Sequence, residues 1–196
     1  NFPFCTIEPN VGVVEVPDHR IYDLSKLFNP KKTTPAFTRF VDIAGLVAGA
    51  SKGEGLGNQF LSHIRETDAI AHVVRCFEDQ NITHVEGNID PVRDMEVINT
   101  ELCLADLDTV EKKKSKTAKL AQAGIKEAKA ILPALEKVFN ALQEGVPARS
   151  LHLSDDEQDV FKELNLITLK PVLYVLNIAE SDMSDPLSND YVKAAV

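Results

Sequence analysis

The sequence predicts an α/β fold: a mainly parallel sheet with helices on both faces, interrupted by an antiparallel helical hairpin. Three observations carry that expectation. Residues 37–43 (FTRFVDI), 69–77 (AIAHVVRCF) and 171–178 (PVLYVLNI) are apolar, β-branched runs bounded by polar turns, the signature of buried strands in a parallel sheet. Helical patterns alternate with these runs, as layered α/β folds require. Residues 91–142 instead read as two long amphipathic helices in succession, which antiparallel packing explains most simply.

Taken in order, residues 13–16 form a weak strand, and 21–28 a helix with Ile21, Leu24, Leu27 and Phe28 on one face. The strand at 37–43 runs into a loop with glycines at 45, 49, 53, 55 and 57. A short helix over 58–67 sets Phe60, Leu61 and Ile64 together. Asp90-Pro91 is an N-cap followed by proline at the first helical position. From there a helix runs toward Leu120 with Met95, Ile98, Leu102 and Ala105 at helical spacing. Gly124 allows the turn. Ala128, Ile131, Leu135, Val138 and Leu142 then line the second helix, whose Pro133 should kink it or mark its start. Gly145 and Pro147 stop it. Ser154 with Glu157 forms a capping-box pattern opening one more helix before the last strand. This divides the chain into 1–90, a first part of the sheet domain, 91–150, the inserted hairpin, and 151–196, the second part.

With 21 Lys and Arg against 30 Asp and Glu, the net charge is −9, which argues against a general nucleic-acid coat and against DNA as a partner. The three cysteines are odd in number and form no CxxC, fitting a reducing, cytoplasmic setting. No apolar run reaches the roughly 18 residues of a membrane span. The chain opens on NFPFCTIEPN and ends on DYVKAAV, and so reads as an internal piece of a longer protein.

The glycine loop VDIAGLVAGASKGEGLGNQF (41–60) matches neither G-x-x-x-x-G-K-[ST] nor G-x-G-x-x-G, so it is not a phosphate cradle. Its start, D-I-A-G from Asp42 to Gly45, is a D-x-x-G at a strand end. In nucleotide hydrolases such an Asp holds Mg²⁺ through water, and the Gly N–H meets the γ-phosphate. Thr6, in a preceding loop, can complete the metal shell, and Asn177, ending the last strand in N-I-A-E, can read the base. Each residue has a plainer reading too, Asp42 as a turn cap and Thr6 as a loop hydroxyl, but their order on predicted strand ends favours the nucleotide site.

NFPFCTIEPN, FVDIAGLVAGASKGEGLGNQFL, IRETDAIAHVVRCF and INTELCLADLDTVEK closely resemble the Obg-like ATPase (YchF) family, along nearly the whole chain. The resemblance implies a P-loop NTPase with a Ras-like G-domain, a coiled-coil arm and a C-terminal TGS domain. It implies Mg²⁺-dependent ATP hydrolysis, with K⁺ a further candidate cofactor, and association with the ribosome or ribosomal RNA. The Walker A loop is then expected ahead of Asn1, and residues 1–196 alone are expected to bind ATP poorly and to be inactive.

Two departures from ordinary GTPases follow. Their N-K-x-D ends in an Asp that takes two hydrogen bonds from guanine; here Ile178 replaces the Lys and Glu180 the Asp. The longer carboxylate loses that bidentate geometry, at roughly 1–3 kcal/mol of discrimination. The resemblance implies adenine preference, with GTP bound less well. Second, Leu46 follows the D-x-x-G where many GTPases carry a water-positioning Gln. Hydrolysis must then be slow, substrate-assisted or completed by another group. The resemblance points to His84, in NITHVEG, which otherwise reads as a solvated loop histidine. The run KKKSKTAK (112–119) is either a solvated helix face or a contact for RNA phosphates. The competing functions are a slow ATPase switch, a nucleotide-gated ribosome-binding module with little intrinsic hydrolysis, and a GTP-preferring Obg-type GTPase, which Glu180 disfavours.

Overall fold

The structure, a computed structural model, describes residues 10–43, 49, 56–79 and 88–196. The chain divides into two compact units, Asn1–Gly45 and Leu46–Val196.

In the first unit, β1 (Asn10–Glu15) pairs antiparallel with β2 (Phe37–Asp42), from Asn10↔Asp42 to Glu15↔Phe37. Helix α1 (His19–Phe28) lies in the connection. Asp18 caps it, accepting from the Arg20 N–H at 3.0 Å, and Asn29 closes it in the left-handed conformation at φ 43°. This corrects the expectation that 37–43 joins a buried parallel sheet. Among the described residues its partner is antiparallel and its faces are largely exposed. The physical reason is the connection: Glu15 and Phe37 face each other where the chain returns from α1, so the two strands run in opposite directions.

The second unit holds α2 (Leu56–Arg65), β3 (Ile70–Arg75), α3 (Pro91–Gln122), α4 (Lys126–Gln143), α5 (Asp155–Lys162), β4 (Val172–Asn177) and α6 (Asp190–Ala195). Here the parallel expectation holds: β3 and β4 pair in parallel from Ile70↔Val172 to Arg75↔Asn177. The ladder runs one step further, with the Cys76 N–H donating to the Asn177 carbonyl at 2.7 Å.

The hairpin of α3 and α4 forms as its periodicity predicts. Asp90 accepts from the Arg93 N–H at 3.1 Å, and Pro91 occupies the first turn, where its missing N–H costs nothing. Gly124 takes φ +92°, a left-handed turn between the helices that any side chain would strain. Pro133 neither starts nor ends α4; it lies inside, with the helix continuing on both sides. Tertiary packing outweighs its lost hydrogen bond, because Ala134, Leu135, Val138, Phe139 and Leu142 all enter one core with Cys103 and Val110 of α3. Phe161 of α5 closes that core. Ser154 caps α5 reciprocally with Glu157, its hydroxyl accepting at 3.3 Å and its N–H donating to the Glu157 carboxylate at 2.8 Å.

A second, smaller cluster lies under the parallel strands: Val74, Cys76 and Val192, flanked by Met95, Leu176, Ile178 and Tyr191. Strand alternation explains it, since Leu176 and Ile178 share one face of β4 while Asn177 faces the other way. Among the described residues no helix is long and apolar enough to cross a membrane.

Candidate functional site

Of the residues the sequence nominates, Thr6, Gly45, Leu46 and His84 lie outside the described residues. Asp42 is the last residue of β2, exposed at its carboxyl end. Asn177, Ile178 and Glu180 are brought together in the second unit, where β4 gives way to a turn.

That turn is built from backbone hydrogen bonds. Asn177 ends β4 and is exposed, with its carbonyl held by Cys76. Ala179, in extended backbone at φ −69° and ψ 153°, opens a 3₁₀ turn over Glu180–Asp182. The Asp182 N–H donates to the Ala179 carbonyl at 3.0 Å, and the Met183 N–H to that of Glu180 at 3.2 Å. Glu180 therefore projects from a closed turn and is exposed, two residues beyond the half-buried Ile178. The arrangement places one amide and one carboxylate at the carboxyl end of a parallel strand, where open α/β sheets bind ligands.

Asn189 holds this turn to the sheet, and sequence reasoning missed it. Its Oδ1 accepts from the Tyr191 and Val192 N–H groups, at 2.8 and 3.1 Å, as the N-cap of α6. Its Nδ2 donates to the Cys76 carbonyl at 3.0 Å and to the Asp182 carboxylate at 2.7 Å. An Asn ahead of a helical run was the available sequence signal; its two other partners were not readable.

The segment after β3 is organised from the same end. The Arg75 guanidinium donates to the carbonyls of Phe77 and Asp79, at 3.0 and 3.4 Å, and lies over the Phe77 ring 4.8 Å from its centroid. The Tyr191 hydroxyl donates to the Glu78 carboxylate at 2.5 Å. Both interactions hold residues 77–79, the last described ones ahead of His84. On the opposite side of β3, His72 packs against Tyr174 with ring centroids 5.5 Å apart, and burial holds its pKa below the usual value.

Between Ile43 and Leu56 one residue of the glycine loop is described, Gly49, whose N–H donates to the Glu101 side chain at 2.6 Å. Glu101 is buried on α3. A carboxylate amid Ile98, Leu102 and Ala105 was the sequence signal for it. In the basic run, Lys112 pairs with Asp108 at 2.6 Å and the Lys114 ammonium sits 3.1 Å from the Phe139 ring centroid. Lys114 thus serves the hairpin itself, while Lys112, Lys116 and Lys119 remain exposed.

Comparison with known proteins agrees with this architecture. The profile of the family described as "50S ribosome-binding GTPase" matches residues 1–101. The chain therefore belongs to the 50S ribosome-binding GTPase family and has its P-loop GTPase-type fold, with a long helical hairpin added. Within that family the similarity is to YchF, as the sequence resemblance implied. The chain is 54% identical over 192 residues to the ribosome-binding ATPase YchF of Bacillus subtilis, covering 98% of this chain and 52% of that protein. The Escherichia coli O157:H7 protein of the same name is 53% identical over 193 residues, covering 98% and 53%. The solved structure of the Schizosaccharomyces pombe YchF GTPase superposes with a TM-score of 0.77 at 41% identity, over 98% of this chain and 52% of that one. The chain spans about half the length of the relatives it matches.

Proposed function

We propose that this chain is the nucleotide-handling part of a ribosome-associated switch that binds ATP, and GTP less well, and hydrolyses it slowly. The observation that carries the reading is the N-I-A-E turn at the carboxyl end of parallel β4. Asn177 and Glu180 stand exposed there, while Ile178, in the position of the GTPase lysine, turns inward. Asn177 meets the base, and Glu180, too long for the bidentate guanine pair, favours adenine. The relatives' names, ribosome-binding ATPase, support the same activity and partner.

Asp42 is an exposed carboxylate at a strand end, the hard oxygen donor that Mg²⁺ takes, and Thr6 is the proposed second donor. Bound there, the metal would neutralise charge on the β- and γ-phosphates. Gly45 offers its N–H to the γ-phosphate, Leu46 leaves the attacking water unoriented, and His84 is the proposed group that supplies that role. Residues 91–150 act as an arm inserted between the two parts of the nucleotide domain, with the cytoplasm as the setting. The basic run 112–119, in which Lys112, Lys116 and Lys119 are exposed, is the proposed contact for ribosomal RNA phosphates.

The decisive experiment is ATP turnover by the whole protein and its Asp42→Ala variant, with and without ribosomes. Slow turnover that rises with ribosomes and vanishes in the variant supports the reading; unchanged turnover in the variant overturns the metal-side assignment. Turnover absent in the wild type while ATP still drives ribosome co-sedimentation favours the nucleotide-gated binding module.

A further inference from the structure

Asn189 uses every hydrogen-bonding direction of its side-chain amide. Oδ1 accepts from the Tyr191 and Val192 N–H groups, and Nδ2 donates to the Cys76 carbonyl and the Asp182 carboxylate. Only one orientation of the amide satisfies four such partners, because the two helix N–H groups need an acceptor and the two oxygens need a donor. The partners belong to three different elements. Cys76 is the residue after β3, Asp182 closes the turn carrying Glu180, and Tyr191 and Val192 open α6. Helix capping alone calls for the Oδ1 contacts; the Nδ2 contacts do something further.

We propose that Asn189 is a positioning residue for the nucleotide base. Bridging Cys76 and Asp182, it holds the Glu180 turn at a fixed reach from Asn177 and so sets the choice of purine. The inference rests on the base-site reading above. The geometry explains why one residue suffices. The Asn177 carbonyl is bound to the Cys76 N–H, and the Cys76 carbonyl is bound to Asn189. One residue at the end of β3, Cys76, therefore meets the beginning of the base turn through its N–H and the clamp through its carbonyl. The hydrogen bond from the Tyr191 hydroxyl to Glu78 fixes α6 independently, so the clamp pulls against a held element. A turn free to slide would let Glu180 and Asn177 vary in separation, and two groups that must meet one rigid base lose discrimination when their spacing varies.

The test uses the whole protein and four variants, each measured for ATP and GTP affinity, KM, kcat and melting temperature. Asn189→Asp keeps the cap acceptor but removes the Nδ2 donor and sets a second carboxylate against Asp182. The expected result is an ATP affinity lower by about tenfold, a smaller loss for GTP, a raised KM and an unchanged kcat. Asp182→Ala removes one arm of the clamp and should lower ATP affinity by about threefold, again more than GTP. Asn189→Asp with Asp182→Asn exchanges donor and acceptor across that contact and should recover part of the loss. Asn177→Ala is the control for the base site itself. Should Asn189→Asp fail to fold, Asp182→Ala decides. Unchanged affinities, or equal losses for ATP and GTP, in a folded clamp variant overturn the proposal if Asn177→Ala still weakens binding. If Asn177→Ala is also silent, the base-site reading fails and takes the proposal with it.

Discussion

Glu101, buried on α3, accepts a hydrogen bond of 2.6 Å from the backbone N–H of Gly49, 52 residues earlier in the chain. Gly49 has φ +86°, left-handed backbone that an L side chain strains, although open space surrounds the position of a Cβ. The helical hairpin thus meets Gly49 through a side-chain hydrogen bond at a residue whose backbone only glycine adopts readily. Glu101→Ala removes the acceptor. Amide exchange at Gly49 should accelerate by at least about tenfold, with a stability loss of about 1–3 kcal/mol. Unchanged exchange at Gly49, read by hydrogen-exchange NMR, would show that other contacts hold the loop.

Asp106 anchors the middle of the same helix. Fully buried, it accepts from the Ile167 N–H at 3.1 Å and from the Thr168 N–H and hydroxyl, each at 2.7 Å, with the Arg65 guanidinium 3.2 Å away. These donors lie at the start of the 3₁₀ turn Ile167–Leu169, which leads into β4. Asp106→Ala leaves buried donors and a cation without their acceptor and should cost about 3–5 kcal/mol in urea unfolding. Asp106→Asn keeps one acceptor and should cost less. A loss below about 1 kcal/mol for Asp106→Ala would mean that the turn finds other partners.

Cys103 sits one helical turn from Asp106. Burial, and secondarily the Asp106 carboxylate, push its thiol up to about 11, partly offset by Arg149. Its folded value lies above the ordinary 9.0, so the unfolded chain loses this proton first as pH rises. The stability contributed by the protonated thiol is therefore complete below pH 9.0 and is lost as pH climbs toward about 11. Alkylation of Cys103 in the folded protein at pH 9.0, mapped by mass spectrometry, should run at least about tenfold slower than in the unfolded chain. Equal rates would refute the shift.

Base choice offers a gain-of-function test. Glu180→Asp with Ile178→Lys restores N-K-x-D and should move the ATP/GTP affinity ratio toward GTP by about tenfold. The structure adds a cost: Ile178 packs against the Val74, Cys76 and Val192 cluster, so Lys there must carry its ammonium out to solvent. A stability loss of about 1–2 kcal/mol should accompany the switch. The single Glu180→Asp variant, which leaves that cluster intact, separates the two effects. A ratio unchanged in the folded double variant would count against Glu180 as the purine selector.

Much of the fold was legible because its determinants are local. The Asp90-Pro91 start of α3, the Gly124 turn, the Ser154–Glu157 box and the apolar stripe of α4 each depend on residues within a few positions of one another. Pro133 does not mark the start of α4: its local penalty is real, yet the helix runs through it and Leu135, Val138 and Phe139 enter the core beyond it. The antiparallel pairing of 37–43 was not legible because an apolar run does not encode the direction of its partner. Residues 10–15 pair with it by way of a return through α1.

By itself the sequence determined the helical hairpin, its caps and its stripe, the two strands that pair in parallel, and the positions of D-I-A-G and N-I-A-E at strand ends. It also marked Leu46, Ile178 and Glu180 as the positions where this chain is expected to depart from ordinary GTPases. Only the tertiary structure decided which groups hold the N-I-A-E turn and the approach to β4. Asn189 reaches Cys76 across 113 residues, and Asp106 reaches Thr168 across 62. Such pairs leave no periodic trace, because each needs one atom from each partner at hydrogen-bond distance and nothing from the residues between. Periodicity and capping are written in neighbouring residues, whereas a clamp exists only once the chain has brought distant ones together.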